Sequence, residues 1–376
     1  MNFSLFDLLV VIGISQGLFT GSLLFSVKQN RQRNTLLAFT LFTFILLSFK
    51  IILHTIGLWN IHAFRYFPLA FDLTIQPLIY LYIRSSVDGK FRMGARQALH
   101  FVPSLVFFIH AVIVYMLTQT GTNPVEQDVI ASAMYFSEVK WFEDILSVIS
   151  SWTYCYLSYN LIKNYRKWID DNSGDMSYPT YTWLRNVLVL FTILVSVLTI
   201  NLLLDQFGFG MTNFFHWQLF YLCMAVIIYY MGVQGYRQQS VPPPVVLAGQ
   251  TKKEGPAIDE RTVSSARQKI IDALENDKAY RDPEISIQLL ASRIGVPTSI
   301  VSHTINNSLG KNFRNLVNEY RIAEVKQRLS DPRSSHLSLL GIALECGFNS
   351  EASFYRVFRQ TTGMSPKEFV DRQASK

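Results

Sequence analysis

The chain has 376 residues, of which 49% are hydrophobic and 16% charged, and its formal net charge is +7 at pH 7. An ordinary soluble domain carries about 25% charged residues. Residues 257–376 hold 31 charges, whereas the much longer segment 1–256 holds 30. This contrast excludes one uniform soluble domain and indicates an apolar N-terminal part followed by a charged C-terminal part.

Cysteine usage argues against two further classes of protein. Cys155, Cys223 and Cys346 form no CxxC pair, so neither a disulfide framework nor a zinc site of the usual spacing is predicted. We expect each cysteine to be a buried small hydrophobic residue. The first apolar stretch is too long for a signal peptide and no Lys or Arg precedes Lys28, so the N-terminus is expected to be retained.

Seven apolar stretches are long enough, or nearly so, to cross about 30 Å of hydrocarbon. They lie near residues 5–27, 35–57, 66–84, 98–118, 140–162, 183–204 and 214–236. The third and fifth are the weakest, because Asp72, Glu143 and Asp144 interrupt them. The predicted fold class is therefore all-α, with a multi-pass bundle of about seven transmembrane helices.

The charges between these stretches predict their orientation. Segments 28–34, 84–97 and 163–182, together with Arg185, carry eleven basic residues, whereas the opposite loops carry one or two. Because basic loops remain in the cytoplasm, we expect the N-terminus to lie outside and the C-terminus to lie inside. The expected location is a membrane that the chain crosses several times.

Polar residues inside apolar spans are costly and often functional. Lys50 and His54 are four residues apart in the second stretch, and Asp72 and Gln76 are four apart in the third, so each pair shares a helix face. We hypothesise that these faces meet, that Lys50 pairs with Asp72, and that the four residues line an outward-facing pocket for a signal molecule. The alternative is a structural ion pair among scattered, satisfied polar groups. Further polar residues expected in or near the same outer half are His110, Glu143, Asp144, Asn201, Asp205 and His216.

A linker is predicted at residues 237–261, which contain four prolines and few large apolar residues. At about 3.1 Å per residue this segment would reach about 75 Å at most. Its proline run at 242–244 is also compatible with a polyproline ligand for a partner domain. The predicted domains are a transmembrane sensor at 1–236, the linker at 237–261 and a soluble domain at 262–376.

A first helix-turn-helix motif is predicted at residues 285–306. Gly295 would end its first helix, because the sharp turn favours a positive φ angle. Pro297 can open the second helix without losing a needed N–H group. Val301 and Ile305 would face inward. The residues expected to face DNA are Ser299, Ser302, His303 and Asn306.

A second motif repeats this pattern after a long helix near 312–329, which would hold the two motifs at a fixed separation. Ala343 and Leu344 are expected to pack inward, Gly347 to make the turn and Phe348 to fill the core. The residues expected to face DNA are Ser350, Glu351, Ser353, Arg356 and Arg359. Arg356 is the leading candidate for reading a guanine, with a phosphate contact as the alternative.

Residues 285–372 resemble the DNA-binding domain of AraC/XylS-type transcription regulators. The matching positions are Leu290, Ala291, Gly295, Val296, Gly310, Phe313, Tyr320, Arg321, Ile342, Ala343, Gly347, Phe348, Phe354, Phe358, Gly363, Ser365 and Pro366. The resemblance covers about a quarter of the chain and implies contact with two successive major-groove segments of double-stranded promoter DNA. It also implies RNA polymerase as a functional partner. The first recognition helix has His303 and Asn306 where the family is often basic, so the second motif is expected to dominate base reading.

The favoured function is a membrane-bound one-component transcription regulator, in which a small-molecule or envelope signal sensed by the bundle controls DNA binding. The alternative is a membrane receptor or transporter whose C-terminal module binds a protein partner. An enzyme is not expected, because no HExxH, GxSxG or P-loop motif occurs, and no cofactor or metal is predicted. A homodimer is expected because paired DNA sites raise affinity through effective concentration.

Overall fold

The computed structural model describes residues 4–172, 179–208, 215–238, 259–331, 333 and 336–374. It is 81% helical, and the described residues contain no strand. The chain divides into two compact units, described separately below. Unit 1 comprises Met1–Lys163 and Thr180–Ala248, and unit 2 comprises Asn164–Pro179 and Gly249–Lys376. Most of the predicted linker, including its prolines, lies outside the described residues.

Unit 1 is built from long helices joined by short connections. In chain order these are α1 (Leu5–Ser26), α2 (Arg31–Thr55), α3 (Ile75–Val87), α4 (Ala95–Ala98), α5 (Val102–Thr118), α6 (Pro124–Ala133), the larger part of α7 (Phe136–Asn172), α8 (Pro179–Gln206) and α9 (Phe215–Arg237). Five of these stretches are long and apolar enough to cross a membrane. They are Leu5–Ser26, Arg31–Thr55, Ala95–Thr118, Tyr181–Gln206 and Phe215–Arg237. All five coincide with stretches predicted from the sequence.

The third and fifth predicted stretches differ from the expectation. Segment 66–84 is not one helix: Tyr66 has a left-handed φ of 59°, Pro68 lacks an N–H group, and α3 begins only at Ile75. The 13 residues of α3 span about 20 Å at about 1.5 Å per residue. The fifth stretch lies inside α7, whose 37 residues extend over about 55 Å. Helix α6 falls in a segment predicted as a loop.

Helix α2 is central to unit 1, and α1, α3 and α9 pack against it. Its side chains Leu37 and Phe44 are fully buried. Gly17 of α1 permits a close approach, because a Cβ atom there would lie 2.6 Å from Ile228 and 3.0 Å from Ile45. Small residues at such crossings let helix backbones pack tightly.

The opposite faces of these helices carry large apolar side chains that nothing in unit 1 covers. Helix α5 is the clearest case, with Leu105, Val106 and Met116 exposed by 55%, 59% and 67%. A soluble surface rarely presents such a continuous apolar face. The inward faces therefore pack in the bundle, while the outward faces suit an apolar surrounding.

Unit 2 contains the short helices of the C-terminal part. They are α10 (Glu260–Glu275), α11 (Ile287–Ile294), α12 (Thr298–His303), α13 (Phe313–Leu329), α14 (Leu339–Glu345), α15 (Glu351–Thr362) and α16 (Pro366–Ala374), with a 3₁₀ turn at Ala279–Arg281. The long helix expected near 312–329 is thus confirmed as α13.

Two hydrophobic cores form unit 2, and α13 contributes to both. Helices α10, α11 and α12 surround the first core, to which α13 adds Val317. Helices α14 and α15 surround the second, to which α13 adds Ile322. Because α13 is one continuous helix, it fixes the separation of the two cores.

One prediction about the second core is wrong. Leu344 was expected to pack inward, but it is 48% exposed. The buried face of α14 is formed by Ile342, Ala343 and Cys346 instead. At about 100° per residue, Leu344 lies roughly 200° from Cys346 around the helix axis, so it points away from the core.

Candidate nucleic-acid interface and polar cavity

The first helix-turn-helix motif consists of α11 and α12. Ser286 caps α11 by accepting a hydrogen bond at Oγ from the Leu289 N–H at 3.3 Å, and Gly295 ends that helix with a φ of 65°. Helix α12 continues into a π-helical turn at Thr304–Ser308. Val301 is fully buried, as predicted.

The predicted DNA-facing residues of the first motif are unequally accessible. Ser299 and Asn306 are exposed, whereas Ser302 and His303 are half-buried. The Asn306 side-chain amide donates a hydrogen bond to Ser302 Oγ at 3.3 Å. The exposed members of this set, Ser299 and Asn306, are therefore small and uncharged.

The second motif consists of α14 and α15. Ser338 Oγ accepts from the Gly341 N–H at 3.0 Å, and Ser350 Oγ accepts from the Ser353 N–H at 3.3 Å. These N-caps satisfy backbone donors at both helix starts. Between the helices, Gly347 adopts a φ of 94°, a conformation that favours glycine.

The residues of the second motif that were predicted to face DNA fall into two groups, those that are exposed and those that are partly or fully buried. Glu351, Arg356 and Arg359 are exposed, and both arginines line a shallow surface depression. Ser350 is half-buried and is occupied as the helix cap. Ser353 departs from the prediction that it faces outward: it is only 6% exposed, because it lies on the side of the first turn that packs against the core.

Arg321 of α13 joins the two motifs. Its Nε donates to the Tyr280 carbonyl at 2.7 Å and its Nη2 donates to the Asp282 carbonyl at 2.9 Å. Its guanidinium also lies 5.7 Å from the centre of the Phe348 ring. One buried side chain thus contacts both the approach to the first motif and the turn of the second.

A second cluster of polar residues lies beside α13, and its arginines form hydrogen bonds inside the domain. Glu324 accepts hydrogen bonds from Arg281 Nε at 2.9 Å and Arg328 Nε at 3.0 Å, and Arg328 also pairs with Glu345. Burial acts to raise the pKa of Glu324, but the hydrogen bonds from Arg281 and Tyr280 outweigh it and hold this pKa below its usual value. These arginines stabilise the domain, in contrast to the exposed pair on α15.

Residues 290–372 match the family model described as a helix-turn-helix domain. The C-terminal segment is an AraC-type helix-turn-helix domain. Two uncharacterized HTH-type transcriptional regulators of Staphylococcus aureus, from strains MSSA476 and COL, are each 33% identical to this chain over 86 residues. The aligned segment is 23% of this chain and 11% of each relative's length. No solved structure matches the chain.

The helix-turn-helix match supports DNA binding by unit 2. It begins at Leu290 within α11, so it covers most of the first motif, α13 and the whole second motif. The family match does not extend into unit 1, whose properties rest on its own geometry.

Unit 1 encloses a cavity of about 250 Å³, and all four residues predicted for a signal pocket line it. Lys50 and His54 come from α2, Asp72 precedes α3, and Gln76 lies in α3. Most of the remaining wall is apolar and comes from α2, α8 and α9. It includes Phe44, Leu47, Ile51, Phe191, Leu194, Val195, Leu198, Leu202, Phe220 and Met224.

An ionic cluster lies at the polar end of this cavity. Lys50 Nζ is 3.9 Å from Asp72 Oδ2, which agrees with the hypothesis that they pair. The closer partner of Asp72 is Lys140, whose Nζ lies 2.7 Å from Asp72, 2.9 Å from Glu143 and 3.0 Å from Asp144. The cluster therefore centres on Lys140.

Lys140 stands at the start of the predicted stretch near 140–162, and the sequence pattern did not indicate its central role. The available signal was its spacing, because Glu143 and Asp144 follow it by three and four residues and so share its helix face. The contact with Asp72 crosses from α7 to the segment before α3, and no local pattern indicates it.

Of the remaining outer polar residues, Asp144 also lines this cavity, whereas His110, Glu143, Asn201, Asp205 and His216 do not. Asn201 donates a side-chain hydrogen bond to the His216 carbonyl at 3.1 Å, and His216 Nε2 lies 2.9 Å from Asp205 Oδ1. His110 and Glu143 line a separate cavity of about 200 Å³. Among the residues the structure describes, no group of His, Cys, Asp and Glu is arranged to hold a metal ion.

Proposed function

We propose that the protein is a bacterial membrane-bound one-component transcription regulator. Unit 1 is a sensor embedded in the inner membrane, and the AraC-type domain binds promoter DNA in the cytoplasm. The observation that carries this proposal is the presence, in one chain, of a helix-turn-helix domain and five helical stretches long and apolar enough to cross a lipid bilayer. Few functions other than signal-controlled gene regulation require both.

The loop charges support seven crossings with the N-terminus outside. The basic segments 28–34, 84–97 and 163–182 lie on one side only if α3 and α7 also cross. Helix α3 is short, but the residues before it include the buried Leu69 and Leu73. Non-helical backbone is tolerated at membrane depth where protein covers it. The exposed apolar faces of α1 and α5 would contact lipid.

We propose that the cavity of unit 1 receives the signal. A ligand shifts a conformational equilibrium only by its difference in affinity for the two states. The cavity suits this role because it combines an apolar wall with charged groups from α2, α7 and the segment before α3. Ligand contacts with separate helices would favour one arrangement of those helices over another.

The arrangement of unit 2 supports a division of labour in DNA binding. Arg356 and Arg359 project from α15, so the second motif would supply most base and phosphate contacts. Ser299 and Asn306 of the first motif would add neutral contacts in the adjacent major-groove segment. RNA polymerase and a second copy of this chain are the proposed protein partners at the promoter.

Two measurements on the full-length protein test this function. A cytoplasmically active reporter fused after Lys376 should be active, and genome-wide crosslinking should recover discrete promoter sites. The variant Arg356→Ala with Arg359→Ala should lose those sites at equal protein level. The matched control Arg267→Ala removes an exposed arginine of α10 and should retain them.

Other outcomes would favour the receptor or transporter. An exterior reporter signal would refute the orientation, and the absence of discrete sites would refute the regulator. Substrate uptake by vesicles containing the protein, without any preference for promoter over random duplex, would identify a transporter whose C-terminal module binds protein.

A further inference from the structure

One residue that lines the unit 1 cavity has a buried polar atom with no hydrogen-bond partner among the described residues. Gln76 is 1% exposed, and its Nε2 lies 2.7 Å from the Asp72 carbonyl and 3.1 Å from each of the Ser147 and Ser151 hydroxyls, which serve as acceptors for its two N–H groups. These contacts fix the orientation of the amide. Its Oε1 is buried and has no partner among the described residues. A buried acceptor left unsatisfied is costly, so this atom favours a ligand that carries a donor.

A second lining residue offers donors. Lys50 Nζ lies 3.9 Å from Asp72 Oδ2, too far for a hydrogen bond, while Lys140 holds the same oxygen at 2.7 Å. No hydrogen bond from the Lys50 ammonium is formed within the described ranges, and its side chain is 35% exposed. The ammonium is therefore available to a carboxylate or another anionic acceptor that enters the cavity.

The charges of the ionic cluster indicate that the donor on the ligand is positively charged. The cluster contains Asp72, Glu143 and Asp144 against Lys50 and Lys140, so the acidic groups outnumber the basic ones. Asp144 itself lines the cavity. Buried or half-buried charges require opposite partners. A positively charged donor on the ligand meets this requirement better than a neutral hydroxyl does.

We propose that the cavity binds a small zwitterion with an apolar body, of the apolar α-amino acid class. The ligand carboxylate accepts hydrogen bonds from Lys50. Its ammonium donates to Gln76 Oε1 and faces Asp144, and its hydrocarbon side chain packs against Phe44 and Leu194. This inference rests on the proposed function of unit 1 as a sensor, and it names the chemical class of the signal.

Three probes that share a phenyl ring on a short carbon chain test the two polar contacts separately in the purified full-length protein. L-Phenylalanine carries both charged groups, 2-phenylethylamine carries only the ammonium, and 3-phenylpropionate carries only the carboxylate. L-Leucine tests a smaller body. A charge-assisted hydrogen bond changes affinity by about tenfold to hundredfold, so an amino acid should bind at least about tenfold more tightly than either single-group probe. Equal affinity of a single-group probe, or no saturable binding of either amino acid, would overturn the proposal.

Variants assign each contact to its residue. Lys50→Met should weaken phenylalanine and 3-phenylpropionate but not 2-phenylethylamine, and Gln76→Leu should weaken phenylalanine and 2-phenylethylamine but not 3-phenylpropionate. The control Asp128→Asn changes an exposed carboxylate that pairs with Arg65 away from the cavity and should leave all affinities unchanged. A uniform loss across the probes in both variants contradicts the assignment. The wild-type probe series remains decisive if a variant does not fold.

Promoter affinity, measured on the same preparations with and without amino acid, distinguishes the two proposals. Saturable amino-acid binding that leaves promoter affinity unchanged supports the site and refutes the sensor role. Sequence-specific promoter binding in a protein that binds no amino acid supports the regulator and refutes the ligand class.

Discussion

Gly347 packs directly against the backbone of Tyr280. A Cβ atom on Gly347 would lie 2.5 Å from the Tyr280 carbonyl oxygen and 2.8 Å from that of Arg281. Gly347 is the turn of the second helix-turn-helix motif, and Tyr280 lies in the 3₁₀ turn before the first. Arg321 donates to the same Tyr280 carbonyl. The relative placement of the two recognition helices thus depends on a backbone contact that only glycine permits.

The first prediction follows from this contact. Gly347→Ala places a non-glycine residue at a positive φ, at about 1–2 kcal/mol, and forces its Cβ against backbone, where overpacking adds about 1–3 kcal/mol. We expect the free energy of unfolding of a fragment 257–376, which contains both cores, to fall by about 2–5 kcal/mol. Urea denaturation followed by circular dichroism measures it.

Gly310→Ala is the matched control for this substitution. Gly310 has a φ of 63° but no atom within 4 Å of an added Cβ, so only the conformational cost of about 1–2 kcal/mol applies. Equal destabilisation by both substitutions would show that the contact with Tyr280 adds nothing. A larger effect at Gly310 would contradict the packing argument outright.

Arg356 provides the second prediction, which separates its two proposed roles. If it reads a guanine, Arg356→Ala should cost about 1–3 kcal/mol at the cognate site and relax the preference at one base position. If it contacts phosphate, affinity should fall uniformly and the slope of log K against log salt should decrease by about one. Competition binding across a library of single-base variants, repeated at several salt concentrations, measures both. Full retention of affinity and specificity would remove Arg356 from the interface.

The sequence predicted local features well and long-range contacts poorly. Gly295, Gly347 and the buried Val301 lie where the helix-turn-helix pattern placed them, because turn geometry and helical periodicity are local properties. Leu344 was assigned to the wrong face because the seven residues of α14 make only about two turns in which to recognise a face. Ser353 was misassigned because it lies in the first turn of α15, where the helical pattern is only beginning.

For the polar cavity, too, local features were predicted better than long-range contacts. The positions of Lys50 and Asp72 within their predicted stretches were sufficient to predict that the two side chains lie close together. The dominant partner, Lys140, was missed because its contact joins residues 68 positions apart. The start of the third helix was also predicted wrongly: the stretch 66–84 is apolar, but α3 begins only at Ile75. An apolar composition alone does not show whether the backbone is helical.

The third prediction concerns alkaline pH. Burial, with a contribution from the Glu324 carboxylate, raises the pKa of Cys346 from 9.0 to about 12. Burial and a hydrogen bond to Glu324 raise the pKa of Tyr280 from 10.0 to about 12. Because both folded pKa values lie above the unfolded ones, this stability is fully present below pH 9 and is lost as pH rises toward 12.

Denaturation of the fragment at pH 8 and pH 10.5 tests this linkage. The free energy of unfolding should fall over that interval, by up to about 1.4 kcal/mol for each unit by which the pH exceeds an unfolded pKa. Cys346→Ala removes one of the two ionising groups and should flatten the dependence. An unchanged slope in this variant would show that the Cys346 thiol is not linked to folding.

The fourth prediction compares the two lysines of the ionic cluster. Lys140 contacts three carboxylates within 3.0 Å, whereas Lys50 lies 3.9 Å from only one of them, Asp72. Removing one partner of a buried charge group costs about 3–5 kcal/mol, and the partial exposure of Lys140 places its loss toward the lower end. Lys140→Met should therefore lower the thermal midpoint of the full-length protein clearly, and Lys50→Met should lower it much less.

A third variant tests whether charge, rather than packing, causes that loss. Adding Asp144→Asn to Lys140→Met removes one of the carboxylates left without a counter-ion, so it should recover part of the thermal midpoint. A cavity left by the lysine side chain would persist in the double variant, and no recovery would then be seen. Equal effects of Lys140→Met and Lys50→Met would show that the short contacts of Lys140 do not hold unit 1 together, and would leave the cluster as a set of interchangeable charges around the cavity.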